Sequence, residues 1–360
     1  MRKLFVSLVA VTMLVACSGP KNDVPVYGWF GIGENTDMTQ LQEKFRFLKS
    51  QGLTGVCVNN RDPELVKKAS ALAHAEGLEY HAWIPCVVRA GMPHEWYAVN
   101  RLGQSADEFP AYVDYYKVLD PHNPAVHDYF VKKMTEIASL PDVDYVQLDY
   151  IRYPDVILAR GLWDKYGLVM DEEYAPADYC YCEGCVADFK AQTGIDILAV
   201  EDPSKVAEWA RFRCQSVTGL VNDICAAVHA VGGKVSADVF PGPDSHAAWM
   251  VRQQWNEWEV DMLFPMNYND FYLEPASWLE PICQEEVQAA GNVPVMSGLF
   301  ICHDWQRKLD IEDPEGSGLV PSEMETAVKG SLKAGAAGIC LFTPDSMTPE
   351  HWEALHQALK

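Results

Sequence analysis

The sequence predicts an α/β protein, a single (β/α)8 TIM barrel with long insertions after its third and fourth strands. Three observations predict it. Eight short apolar runs rich in β-branched residues recur along the chain, each followed by a helix-like segment. Glycine punctuates the return from helix to strand. About 335 residues beyond the N-terminal leader contain no Ser/Gly/Pro-rich linker that would divide them into two domains.

Taken in order, the leader comes first. Arg2 and Lys3 precede "LFVSLVAVTMLVA", an apolar run too short to span a bilayer comfortably, and "LVAC" places Cys17 after small residues. This resembles a bacterial lipoprotein signal with its lipobox, which implies cleavage before Cys17 and lipidation of that cysteine. Residues 1–17 are read as the signal, 18–23 ("SGPKND") as a polar tether and 24–360 as the barrel. An ordinary secretory signal or an uncleaved anchor would equally carry the chain out of the cytoplasm. The lack of a dense acidic run after Cys17 favours a periplasm-facing lipid anchor in the cell envelope.

The strands follow: "VPVYGWF" from Val24, "TGVCVNN" from Thr54, "LEYHAWI" from Leu78, "DYVQLDY" from Asp144, "GKVSADVF" from Gly233, "VDMLFPMNY" from Val260, "VPVMSGLF" from Val293 and "AGICLFT" from Ala337. Between the first two, Leu41, Phe45 and Leu48 share one helical face and Gly52 ends the helix. The next helix opens with Asp62 as cap and Pro63 as first residue, carries Leu65, Ala69 and Leu72 on one side, and stops at Gly77. Thr348 and Pro349 repeat the device before the last helix. Residues 85–122 and 154–200 are too long to be plain loops; after strands three and four they would build walls on the catalytic end.

Reacting groups in such a barrel come from the C-terminal ends of strands. Here those ends supply Trp29, Asn59 and Asn60, His81 with Trp83, Asp149 with Arg152, Asp238, Asn267 with Tyr268, His303 with Asp304, and Thr343 with Asp345. A carboxylate ending a buried strand is costly unless paired, so Arg152 is expected to keep Asp149 ionised; a structural ion pair at the rim is the plainer alternative. Asp238 ends the neighbouring strand. Two such acids can meet at the spacing of glycoside hydrolysis, roughly 5–5.5 Å for retention or 6.5–9.5 Å for inversion. Trp29, Trp83, Tyr150, Tyr153, Tyr268 and Trp305 add flat faces on which sugar rings stack, while Arg152, His81, Asn267, His303 and Asp304 would bind hydroxyls.

The stretches "VQLDYIRYP", "HAWI", "VSADVFP" and "DMLFPMNY" resemble the glycosyl-hydrolase-like TIM-barrel proteins of the family-10-like group. The resemblance implies a barrel distantly allied to the α-amylase type, in which an aspartate ending strand four is the nucleophile; that role falls on Asp149. The α-amylase type usually has a glutamate acid/base on strand five, whereas this chain has Asp238. "MNYND" at Met266–Asp270 is similar to the strand-six signature of chitinase-like family 18 enzymes, but Ile151 stands where their strand-four glutamate would be.

The expected function is therefore a lipid-anchored glycoside hydrolase acting on an oligo- or polysaccharide, with a non-catalytic glycan-binding barrel as the alternative and a chitinase-like activity as the lesser one. A formal charge of −23 argues against nucleic acid as partner. No Gly-rich phosphate loop, HExxH or GxSxG is present, and the chemistry requires no cofactor. In "YCYCEGCVADF", Cys180, Cys182 and Cys185 would suit a structural zinc completed by Cys214 or a histidine, or, after export, a disulfide with one spare thiol.

Overall fold

The strands are β1 (Val26–Gly31), β2 (Gly55–Asn59), β3 (Glu79–Pro85), β4 (Tyr145–Asp149), β5 (Val235–Val239), β6 (Met262–Pro265), β7 (Met296–Phe300) and β8 (Gly338–Phe342). In the computed structural model, which describes residues 24–306 and 317–360, they form one parallel sheet in the order β6-β5-β4-β3-β2-β1-β8-β7. Parallel bridges Leu263↔Val295 and Met266↔Gly298 join β6 to β7 and close the ring. All eight predicted strands are present. The leader, Cys17 and the tether lie outside the described residues.

Strand alternation gives the barrel two apolar populations. Tyr27, Trp29, Cys57, Tyr145, Met262, Phe264, Met296 and Cys340 fill the interior, with Trp83 and Phe342 packed against them. Outward positions such as Val56, Val58, Val146, Leu148, Leu299 and Leu341 meet the helices. Gly298 is needed where it stands, because a Cβ there would come within 2.8 Å of the Trp29 ring and 2.6 Å of the Pro265 carbonyl oxygen.

Helices α1 (Met38–Ser50), α2 (Pro63–Ala75), α3 (Pro124–Ala138), α4 (Glu183–Thr193), α5 (Ala207–Ala230), α6 (Leu279–Ala290), α7 (Pro321–Lys333) and α8 (Pro349–Ala358) surround the ring. Asp62 accepts the Glu64 N–H at 2.9 Å and so caps α2. The buried face of α1 is Leu41, Phe45 and Leu48, as the periodicity requires. On α2 the buried face is Val66, Ala69, Ser70 and Ala73, turned one residue from the predicted stripe. Small side chains let this helix approach closely, Leu65 and Leu72 flank the contact, and the Ser70 hydroxyl donates to the Pro141 carbonyl at 3.1 Å. After β5 the chain makes only short helical turns over Pro243–Val251, where Pro241, Gly242 and Pro243 break the run. No helix among the described residues is long and apolar enough to cross a membrane.

The two insertions interlock. The first pairs with itself through Val88↔Val118, Tyr97↔Leu119 and Val99↔Ser105, then meets the second through Asn100↔Tyr179. Asp178 of the second insertion is ion-paired to the buried Arg213 of α5.

Candidate active site

The site begins with parity. On β4, Gln147 and Asp149 share the inward face with Tyr145; on β5, Ser236 and Asp238 do the same. The register Gln147↔Ser236, Leu148↔Ala237 carries Asp149 to the level of Asp238. Two carboxyls thus stand side by side at the C-terminal end of the barrel.

Their environments differ. Asp149, 6% exposed, accepts the Trp83 indole N–H at 2.9 Å on Oδ2 and the Tyr150 backbone N–H at 2.6 Å on Oδ1. Tyr150 reaches that position with φ at +46°, in the left-handed region that a tyrosine seldom occupies. Burial pushes the Asp149 pKa up; the two donors and the positive charges of Arg152 and Arg61 pull it back. Asp238, 2% exposed, accepts the Gln147 amide at 2.8 Å and the Trp29 indole at 3.2 Å, both on Oδ1. Its Oδ2 is buried without a hydrogen-bond partner. Burial first, then the neighbouring Asp149 charge, raises the Asp238 pKa well above the ordinary aspartate value, which favours its protonated form.

Tyr268 completes this group. It is 8% exposed, its ring stacks on Phe342 at 5.6 Å and lies 5.2 Å from Phe300, and the charges of both aspartates add to burial in raising its pKa. At the rim, the half-buried Tyr150 sits 6.2 Å from Tyr116 of the first insertion, beside Tyr115, whose side chain is more than half exposed. An acid pair within an aromatic wall can act on a neutral, hydroxyl-rich ring.

Several predicted residues play other parts. Arg152 does not bond to Asp149: it is buried, pairs with Asp155 at 3.2 Å, and donates to the Tyr116 hydroxyl at 3.0 Å and the Tyr153 carbonyl at 2.9 Å. Its guanidinium also lies over the rings of Tyr150 and Phe240. The rim ion pair exists, but with a different acid. Trp29 is fully buried and positions Asp238 from across the barrel. His81 is buried lower in the barrel, stacked on Tyr145 at 4.3 Å and bonded to the Ser236 hydroxyl at 3.0 Å; burial lowers its pKa. Asn267 turns outward between strand and helix, where its amide donates to Glu286 at 3.0 Å and to Ser297 at 3.1 Å. Tyr153 is buried in the main core, away from the pair. His303 and Asp304 are exposed in the turn after β7. Ile151, in the place of the chitinase-type glutamate, is fully buried.

Two contributors escaped the sequence reading. Gln147 lies two residues before Asp149, so strand parity and its polarity in an apolar run both mark it. Arg61 stands just past β2 in "NNRDP", exposed, its charge reaching Asp149; the strand-end rule that found Asn59 and Asn60 stopped one residue short.

The family model for glycosyl hydrolase-like 10 matches residues 46–289, a span that contains both aspartates and their donors Trp83 and Gln147. No curated protein matches the chain in sequence. Among solved structures, the catalytic domain of β-amylase from Paenibacillus polymyxa superposes with a TM-score of 0.57 at 11% identity, over 94% of this chain and 98% of that one. A class V chitinase from Pseudomonas fluorescens Pf-5 gives 0.54 at 12%, over 94% and 100%. The spore cortex-lytic enzyme SleL of Bacillus cereus gives 0.53 at 11%, over 95% and 76%. At these identities the likeness is one of fold, a TIM barrel. With the family model covering most of the chain and both strand-end acids, the protein belongs to the glycosyl hydrolase-like 10 family.

Proposed function

We propose that this protein is an exported, lipid-anchored glycoside hydrolase that cleaves an oligo- or polysaccharide with Asp149 and Asp238. The observation that carries the reading is the contrast between two adjacent carboxyls. One is held by two donors and flanked by cations, and the other is buried with its pKa raised and one oxygen without a hydrogen-bond partner. Environments that push two neighbouring acids apart mark an acid and its ionised partner. Asp238 donates its proton to the glycosidic oxygen as the leaving group departs. Asp149 faces the positive charge that develops at the anomeric carbon, as nucleophile or as electrostatic stabiliser. Trp29 and Gln147 position Asp238, Trp83 positions Asp149, and Tyr150, Tyr268 and the rim tyrosines supply the sugar-binding surface. His303 and Asp304 extend that surface at the same end of the barrel. The lipobox-like "LVAC" ending at Cys17 supports anchoring to an envelope membrane, facing the periplasm. The chemistry calls for no cofactor and no nucleic-acid partner.

A second reading, glycan binding without cleavage, has one observation in its favour: Asp238 is almost wholly covered and tied to Trp29 and Gln147. Product release from a panel of oligosaccharides and envelope polysaccharides separates the two. For the hydrolase, Asp149→Asn and Asp238→Asn each lose on the order of 10³-fold or more in kcat while remaining folded. Binding of one glycan with equal affinity by all three proteins, with no product from any, would establish the second reading instead.

A further inference from the structure

We propose that Asp120, Cys180, Cys182 and Cys185 bind one structural zinc ion that staples the two insertions together beside the catalytic end of the barrel. Asp120 comes from the first insertion and the three thiols from the second. Their ligand atoms all lie within 4.8 Å of one another, and Asp120, Cys180 and Cys185 are buried. The fourth donor is thus a carboxylate. Neither of the expected candidates fills the place: the Cys214 thiol lies against the Ala248 carbonyl at 3.7 Å, and His122 pairs with Asp188.

Three thiols and a carboxylate converge on one point, which a metal ion satisfies and a single disulfide does not. Cys180 Sγ is 2.8 Å from Cys182 Sγ and 3.2 Å from Cys185 Sγ, whereas an S–S bond is about 2.05 Å. The Cys180 sulfur therefore has two sulfur neighbours rather than one bonded partner. Cys185 Sγ also lies 3.3 Å from Asp120 Oδ2. A tetrahedral zinc with sulfurs about 2.3 Å away holds them roughly 3.7 Å apart, so the thiols would spread by about 0.5–0.9 Å to admit the ion.

The surroundings favour thiolates. The Val99 N–H points at Cys182 Sγ at 3.3 Å, and the His122 N–H at Asp120 Oδ1 at 2.9 Å, as second partners of metal ligands do. Cys182 is the N-cap of α4 and Cys185 lies in its first turn, where the helix dipole stabilises negative charge. Four protein donors close the coordination sphere, so the ion would be structural and take no water to activate. The two insertions follow β3 and β4, so the cluster joins the walls built on these neighbouring strands, the second of which ends in Asp149.

The test is elemental analysis of the full chain purified without chelator, with cobalt substitution beside it. The expected result is about one zinc per chain, a cobalt form with thiolate charge-transfer and tetrahedral d–d bands, and a thermal midpoint that falls when a strong chelator is added. Cys182→Ser and Asp120→Asn should each change the cobalt spectrum and weaken metal retention at least tenfold; if Cys182→Ser does not fold, Asp120→Asn and the wild-type metal content decide. The proposal is overturned if the wild type carries no metal and takes up no cobalt. A mass two hydrogens light, locating a disulfide among Cys180, Cys182 and Cys185, would overturn it equally.

Discussion

Replacing Trp83 with phenylalanine removes one donor from Asp149 while keeping most of the aromatic surface. The indole N–H bonds Asp149 Oδ2 at 2.9 Å in a site with little access to water. A hydrogen bond to a charged group of this kind contributes about 1.5–3 kcal/mol, or about one to two pKa units at 1.36 kcal/mol each. Burial already holds the Asp149 pKa above its unfolded value. Between the two values the folded state binds more protons than the unfolded one, so stability falls as pH rises through that window. Loss of the donor extends the window upward. Below the unfolded carboxylate pKa, Asp149 is protonated in both states and the variant should lose only its packing difference. At higher pH the gap should widen by about 1.5–3 kcal/mol, which denaturant unfolding of both proteins from about pH 4 to about pH 8 would read. Infrared titration of the carboxyl band should show the same upward shift. A stability gap that stays constant across that range would refute the reasoning and reduce Trp83 to a packing residue.

Arg152→Gln should destabilise the fold by about 3 kcal/mol in urea unfolding, because it strands the buried Asp155. The Tyr112 and Tyr116 hydroxyls that still bond Asp155 keep the loss at the lower end of the range for buried pairs. Adding Asp155→Asn should recover part of it, and a loss below about 1 kcal/mol would place the pair in solvent. Glu286 is fully buried beside Asn267, and burial raises its pKa from 4.5 to about 8. Folding therefore loses stability as pH rises between those values, on the order of a few kcal/mol. Glu286→Gln should flatten that decline in thermal midpoints measured across the window, and an unchanged slope would assign the pH dependence to other groups.

The sequence by itself determined the barrel and both carboxyls. Each strand carries its own signal in apolar β-branched runs, glycine and proline mark the helix ends, and the strand-end rule reached Asp149 and Asp238 because both lie inside regular strands where parity fixes direction. Tertiary structure decided what those acids are bonded to. Trp29 and Asp238 are 209 residues apart in sequence, and they meet only because the ring closes. Asn267 continues the outward parity of Leu263 past the end of β6, and only the folded chain sets Glu286 of α6 there to meet it. Arg152 has a long side chain and a choice of acids. It pairs with Asp155, inside a cluster of tyrosines contributed by the other insertion. Asp120 joins the three cysteines from 60 residues away in sequence for the same reason. Periodicity fixes which way a residue points within its own element. Which groups meet across elements depends on where the folded chain places the others, and that is where the pKa values and the proposed metal site arise.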